Sequence, residues 1–109
     1  RPSEEQKLFD SAHREGAAGL INPVKLSGRA PQYTSDAMRA KIQGEVEVEI
    51  VVLADGRVGA ARIVRSLDTQ FGLDQAALDA ARQWSFQAGT LNGERVAVLT
   101  RINVGFSLR

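Results

Sequence analysis

The segment RVAVLTRINVGFSLR, residues 95–109, decides how this chain folds, because it alternates without a break. Val96, Val98, Thr100, Ile102, Val104, Phe106 and Leu108 take one side. Ala97, Leu99, Arg101, Asn103, Gly105 and Ser107 take the other. Strand side chains repeat every two residues, so the pattern predicts one long strand with a single buried face. Thirteen residues of strand span about 43 Å, more than twice the usual ~17–20 Å. A small domain hardly covers such a strand on both flanks. Backbone donors and acceptors left open along one flank can recruit another chain.

A second alternation lies upstream. In GEVEVEIVVLA, which starts at Gly44, Val46, Val48, Ile50 and Val52 share one face, and Glu45, Glu47 and Glu49 share the other. Asp55-Gly56 is a turn signal, and RVGAARIVRS supplies the returning strand. A two-residue turn sets Ala54 opposite Arg57. Ile50 then faces Ala61, Val48 faces Ile63, and Glu49 faces Arg62 on the solvated side as an opposite-charge pair. Next, LDQAALDAARQW places Leu73, Ala77, Ala80, Ala81 and Trp84 on one side of a helix over Leu73–Trp84. Asp74 in its first turn and Arg82 in its last suit the helix dipole. The alanines let it lie close to a sheet, and Trp84 adds bulk at its end. Leu67–Gly72 reads as a loop and Asn92-Gly93 as a turn.

The order is strand, strand, helix, strand. A crossing helix makes the second and third strands parallel, and the simplest sheet puts the first between them, antiparallel to both. The predicted fold class is α+β with two layers: a three-stranded antiparallel sheet in the order 2-1-3, with one main helix packed on it. Arg101 then lies beside the glutamates, and the third strand is an edge. A short helix over Ser35–Ile42 and an N-terminal helix over Ser3–Glu15 precede the sheet. Ser3 and Gln6 have capping-box spacing, and Gly16 offers a stop. The apolar stripe of the first helix is thin (Leu8, Phe9, Ala12), so it needs a surface to dock on. Folded back, it would shield the edge strand. Gly16-Ala17-Ala18-Gly19 reads as a hinge, and Leu20–Tyr33, with Pro23, Gly28 and Pro31, as an extended segment.

Bulk properties narrow the function. At 109 residues the chain fits one core. A net charge of +1 argues against a general nucleic-acid binder. With no cysteine there is neither a disulfide framework nor a thiolate metal site. No apolar run reaches the ~18–20 residues of a membrane helix. The chain begins at Arg1 without a Met and reads as a processed or excised piece, with any targeting or anchoring segment upstream.

Several markers now fall in order. They are Pro31-x-Tyr33 before a short helix, Gly44-x-Val46, Asp55-Gly56-x-Val58, Leu73-Asp74-x-Ala76, Ala81-x-x-Trp84-x-Phe86 and Asn92-Gly93. Together they resemble the C-terminal domain of TonB-family energy transducers. The resemblance spans residues 30–109, taken as a TonB C-terminal-like domain behind an N-terminal helix and linker over residues 1–29. It implies a periplasmic domain on a protein anchored in the inner membrane through an upstream segment. Such a domain grips a short N-terminal peptide, the TonB box, of an outer-membrane TonB-dependent transporter. It also passes on work from a proton-driven inner-membrane motor complex. Three positions differ from the family pattern. Thr34 follows Tyr33 where a Pro is usual, Ala88 replaces a Pro after the Trp-x-Phe, and Ala30 stands where a Gln helps hold the peptide.

The resemblance also places a partner site on the third strand, at Val96, Ala97, Val98, Leu99, Thr100, Arg101 and Ile102, where a peptide adds as a further strand. Arg101 and Asn103 face the solvated side and can touch it. Arg29, Gln32 and Tyr33 can flank it, although the favoured reading of Tyr33 is that it packs on the sheet end and holds the extended segment down. No metal or cofactor is expected. His13 is a single imidazole with no convergent partners. Asp74 and Asp79 are off one another's helical face, and Asp68 belongs to a loop, so no carboxylate pair is set for catalysis. The glutamate row is neutralised by Arg62 and Arg101. GAAG and DGRVG lack phosphate-loop spacing. The alternative to peptide capture is an envelope scaffold or dimerisation module, a homodimer formed by strand-edge pairing.

Overall fold

The computed structural model describes residues 3–108. Arg1, Pro2 and Arg109, the outermost residues of the expected N-terminal segment and last strand, lie outside the described residues. The elements in order are α1 (Glu4–Ser11), β1 (His13–Arg14), β2 (Leu20–Ile21), β3 (Val24–Ser27), α2 (Ser35–Arg39), β4 (Gly44–Val52) and β5 (Val58–Arg65). There follow α3 (Leu73–Arg82), β6 (Ser85–Gln87), β7 (Thr90–Leu91), β8 (Glu94–Arg95) and β9 (Val98–Phe106).

The three long strands take the expected places: β4 lies between β5 and β9, antiparallel to both. The sheet itself departs from the three-stranded expectation. It has four strands in the order β1-β9-β4-β5, and it is mixed, because β1 runs parallel to β9. Two small sheets stand beside it, β2-β7-β8 and β3-β6. They draw on the segment read from sequence only as extended.

The β4–β5 register matches the charge and packing argument from Val48 to Val51 and slips by one at Glu47, which faces Arg65. Ile50 faces Ala61, Val48 faces Ile63 and Glu49 faces Arg62. The turn between them is not the expected two-residue one. Leu53 N donates to Arg57 O at 2.8 Å, Gly56 N donates to Leu53 O at 2.9 Å, and Gly56 holds φ 90°. This is a three-residue loop closed by a left-handed glycine, which shifts the register by one. A bulge between the pairs Val51–Ala60 and Val52–Val58 shifts it back. Packing of the valines and the Glu49–Arg62 pair thus overrides the turn.

The main core lies between the sheet and α3. Val46, Val48, Ile50 and Val52 meet Leu73, Ala77 and Ala81 of α3, with Ala37, Trp84, Phe86, Val104 and Phe106 around them. Fully burying an aliphatic side chain of this size contributes roughly 1.5–3 kcal/mol. The loop entering α3 is knit by two carboxylates. Asp74 accepts from Leu67 N and Asp68 N, and Asp68 accepts from Gln70 N, Phe71 N and Leu73 N. Thr34, where the family pattern has Pro, caps α2 by accepting from Ala37 N at 3.2 Å.

The opposite sheet face was expected to be solvated. At one end it is covered instead: Phe9 of α1 packs on Val51, Ala60 and Leu99. α1 is also shorter than expected. Ser3 caps it, accepting from Gln6 N at 3.1 Å, but the helix stops at Ser11 rather than near Gly16. Ala12 is already extended, and the next two residues pair with β9. The strand predicted from Val96 begins at Val98, because β8 first pairs with β7 across Asn92-Gly93 and Val96 N donates to Gly89 O.

Candidate peptide-docking edge

β9 pairs with β4 on its inner side along its whole length, Val98 to Phe106. Its outer side is only partly taken. His13 N donates to Ala97 O at 3.0 Å, His13 pairs with Val98, and Arg14 pairs with Leu99. Glu15 continues the cover with its side chain, accepting from Thr100 Oγ1 at 2.8 Å and from Arg101 N at 3.4 Å. Successive residues of a strand point their backbone groups to opposite sides. Ala97 O and Arg101 N point outward, so the odd-numbered residues carry the outward groups. Among the described residues no strand lies beyond Asn103 and Gly105, and both are exposed.

The predicted partner residues therefore separate into groups. Val96 is engaged by Gly89, and Ala97 and Leu99 by the N-terminal arm. The backbone groups of Val98, Thr100 and Ile102 face β4, whereas those of Arg101 and Asn103 face outward. Gly105 belongs to the same outward row. It was not singled out from the sequence, although the unbroken alternation through Ser107 carried the signal.

Tyr33 takes the packing role. Its ring meets Phe106 edge-on at 5.4 Å between centroids, and its hydroxyl donates to Ile42 O. Arg29 and Gln32 are exposed and line a cleft of about 910 Å³ between the extended segment and α3, to which Tyr33 also contributes. No β9 residue lines it. Arg29 O accepts from Trp84 Nε1 at 2.9 Å, which ties the segment to the core. Fold and cleft thus share Tyr33, while the strand edge stands apart from Arg29 and Gln32.

Glu49 sets the charge beneath the edge. It is only 5% exposed, with Arg62 at 2.6 Å and Arg101 at 3.4 Å. Burial pushes its carboxyl up, but the hydrogen bonds and charges of Arg62, then of Arg101, outweigh this and hold it below the usual carboxylate range. Arg62 also stacks on the Phe9 ring, 4.0 Å from its centroid. Glu5 behaves likewise: burial raises it, while Ala61 N–H and Arg82 lower it further. Asp68, raised by burial, is lowered by N–H groups of Phe71, Leu73 and Gln70. A carboxyl depressed in the folded state contributes stability above its unfolded pKa and loses it as pH falls through the folded value. The urea midpoint is therefore expected to stay level from pH 7 to about pH 5 and to fall progressively below about pH 4.5. A rise in midpoint on acidification contradicts this assignment. Among the described residues, no group of three His, Asp or Glu could hold a metal ion, and no helix is long and apolar enough to cross a membrane.

These features define a class: a small α+β domain whose mixed sheet carries a long strand, covered along only part of its outer flank by a two-residue strand. The chain belongs to the TonB C-terminal family. The family described as "Gram-negative bacterial TonB protein C-terminal" matches residues 29–108. Protein TonB of Xanthomonas campestris pv. campestris (strain B100) is 42% identical over 78 residues, 72% of this chain and 34% of that protein. Protein TonB of Vibrio cholerae serotype O1 is 36% identical over 78 residues, covering 72% and 32%. Protein TonB of Escherichia coli (strain K12) is 32% identical over 82 residues, covering 74% and 34%. The chain thus spans about a third of the length of these relatives. The solution NMR structure of the Pseudomonas aeruginosa TonB CTD aligns over 91% of this chain and 98% of that one, with a TM-score of 0.57 at 20% identity. That likeness concerns the fold alone.

Proposed function

We propose that this chain is the periplasmic C-terminal domain of a TonB-type energy transducer. It takes up a short N-terminal peptide of an outer-membrane TonB-dependent transporter as an added strand on β9, and it conveys work from a proton-driven inner-membrane complex through an upstream anchor. The observation that carries this reading is the outer edge of β9, where, among the described residues, no strand pairs with Asn103 and Gly105. Main-chain bonds supply affinity in such an addition, and alternating side chains supply selectivity. A pull along the strand axis loads those bonds together in shear, which suits a force-bearing contact. In this reading Arg101 contacts the peptide, and Tyr33, which packs on Phe106 near the end of β9, flanks it, with Arg29 and Gln32 on the neighbouring segment.

Titration with N-terminal peptides of such transporters, followed by backbone amide shifts, tests this. Shifts are expected at Leu99, Arg101, Asn103 and Gly105. Shifts confined to the cleft under Arg29 and Gln32 overturn the site. The same open edge favours a second reading, pairing of two copies as a dimerisation module. Light scattering over a concentration series separates the two: a mass that doubles with concentration supports self-pairing.

A further inference from the structure

We infer that the N-terminal arm, residues 3–15, is an internal competitor for the β9 edge, so that a peptide binds only as fast and as tightly as the arm gives way. This rests on the reading of β9 as a peptide-binding strand.

The arm crosses the whole sheet. At one edge Glu5 Oε1 accepts from Ala61 N of β5 at 3.0 Å and is held by Arg82 at 2.9 Å. In the middle Phe9, 4% exposed, sits on Val51, Ala60 and Leu99. At the other edge His13 and Arg14 take the backbone of β9, and Glu15 takes Thr100 and Arg101. One side chain thus satisfies an N–H on each sheet edge, and the anchor between them is apolar.

The two ends differ in strength. The anchor is buried, whereas the β9 contact is a two-residue parallel strand whose residues are all exposed. Parallel pairing is the less stable kind per residue, and so short a strand holds little by itself. Ala12 is extended where the helix stops, and Gly16 and Gly19 hold positive φ values of 91° and 79° on the far side. The covering strand is therefore bounded by non-helical backbone at both ends. It can leave β9 while Phe9 stays docked. A peptide entering at the open Asn103–Gly105 stretch extends towards Ala97 by replacing it.

A closed fraction weakens apparent affinity in proportion, because the apparent Kd is the intrinsic Kd divided by the open fraction. The test is a His13→Pro/Glu15→Ala variant in the otherwise full chain. Proline at position 13 removes the N–H given to Ala97 O and suits the extended residue before it. Glu5 and Phe9 are kept, so α1 stays docked, and circular dichroism checks that the fold is intact. The probe is a synthetic N-terminal peptide of an outer-membrane transporter, with the arm peptide SAHREGA (residues 11–17) as a second probe. In the variant, hydrogen exchange at Leu99 and Arg101 is expected to quicken, the transporter peptide to bind at least about tenfold more tightly, and the arm peptide to shift the same amides. Glu15→Gln alone gives a smaller gain in the same direction. Equal affinity for the full chain and the variant overturns the competition but leaves peptide capture standing. No binding to either overturns peptide capture and the competition with it.

Discussion

An Asn103→Pro variant keeps its fold and loses at least about tenfold in affinity for a transporter peptide, equivalent to about 1.4 kcal/mol. Position 103 lies in the outward row of β9, and its inner neighbours Ile102 and Val104 carry the bonds to β4. Proline is tolerated on an edge strand where its nitrogen faces solvent, so the sheet survives. The substitution removes one of the open N–H groups and puts ring carbons where a partner's carbonyl must approach. A backbone hydrogen bond contributes about 0.5–1.5 kcal/mol net, and an acceptor buried without its donor costs about 1–3 kcal/mol. Asn103→Ala keeps the N–H and is expected to bind at least about fivefold more tightly than the proline variant. Calorimetric titration of the two, with circular dichroism as the fold control, reads the result. Equal affinity of the two variants places the peptide elsewhere.

Trp84→Ala is expected to cost about 3–5 kcal/mol, a large part of the ~5–15 kcal/mol that holds a domain of this size together. Trp84, 8% exposed, lies just beyond α3, which ends at Arg82 rather than at the expected Trp84. Gly28 lies against its ring so closely that any Cβ there would overlap it, and the Lys25 ammonium sits 3.5 Å from the ring centroid. The indole N–H is satisfied by Arg29 O. Removing the ring empties core volume and releases the extended segment that carries Arg29 and Gln32. Trp84→Phe keeps much of the packing and loses the N–H bond, so it should fall in between. Urea unfolding followed by circular dichroism measures both, since the indole fluorescence is lost. A cost below about 1 kcal/mol for Trp84→Ala contradicts this packing role.

The arm adds a consequence for pH. Glu5 of α1 and Glu49 on the sheet face beneath it are depressed carboxyls, and Arg62 links Glu49 to Phe9. Acid therefore loosens the arm's anchorage together with the sheet, rather than the α3 side alone.

What could be read in advance follows local periodicity. The valine–glutamate alternation of β4, the returning β5 and the stripe of α3 were legible because each repeats at its own period. Tyr33 showed the limit: packing on the sheet end was the reading its neighbours in sequence favoured, but its ring partner Phe106, at the far end of the chain, could not be read from them. Glu49 showed another limit. Its solvated-side position and its Arg62 pair were predictable, but its burial was not, because Arg62 is itself held down by the Phe9 ring, a residue far upstream that sequence spacing does not bring near. The hairpin turn failed for a different reason: Asp-Gly fits both a two-residue turn and a three-residue loop, and strand packing chose between them.

By itself the sequence determined the order of the three long strands, the main helix, the central β4–β5 register from Val48 to Val51 and the family, because those depend on repeats and spacings within short stretches. Only the tertiary structure decided that the edge strand is half covered. That cover comes from His13–Glu15 meeting residues more than eighty positions later, a contact between the strictly alternating β9 and a short, exposed segment whose own sequence carries no repeat that would point to it.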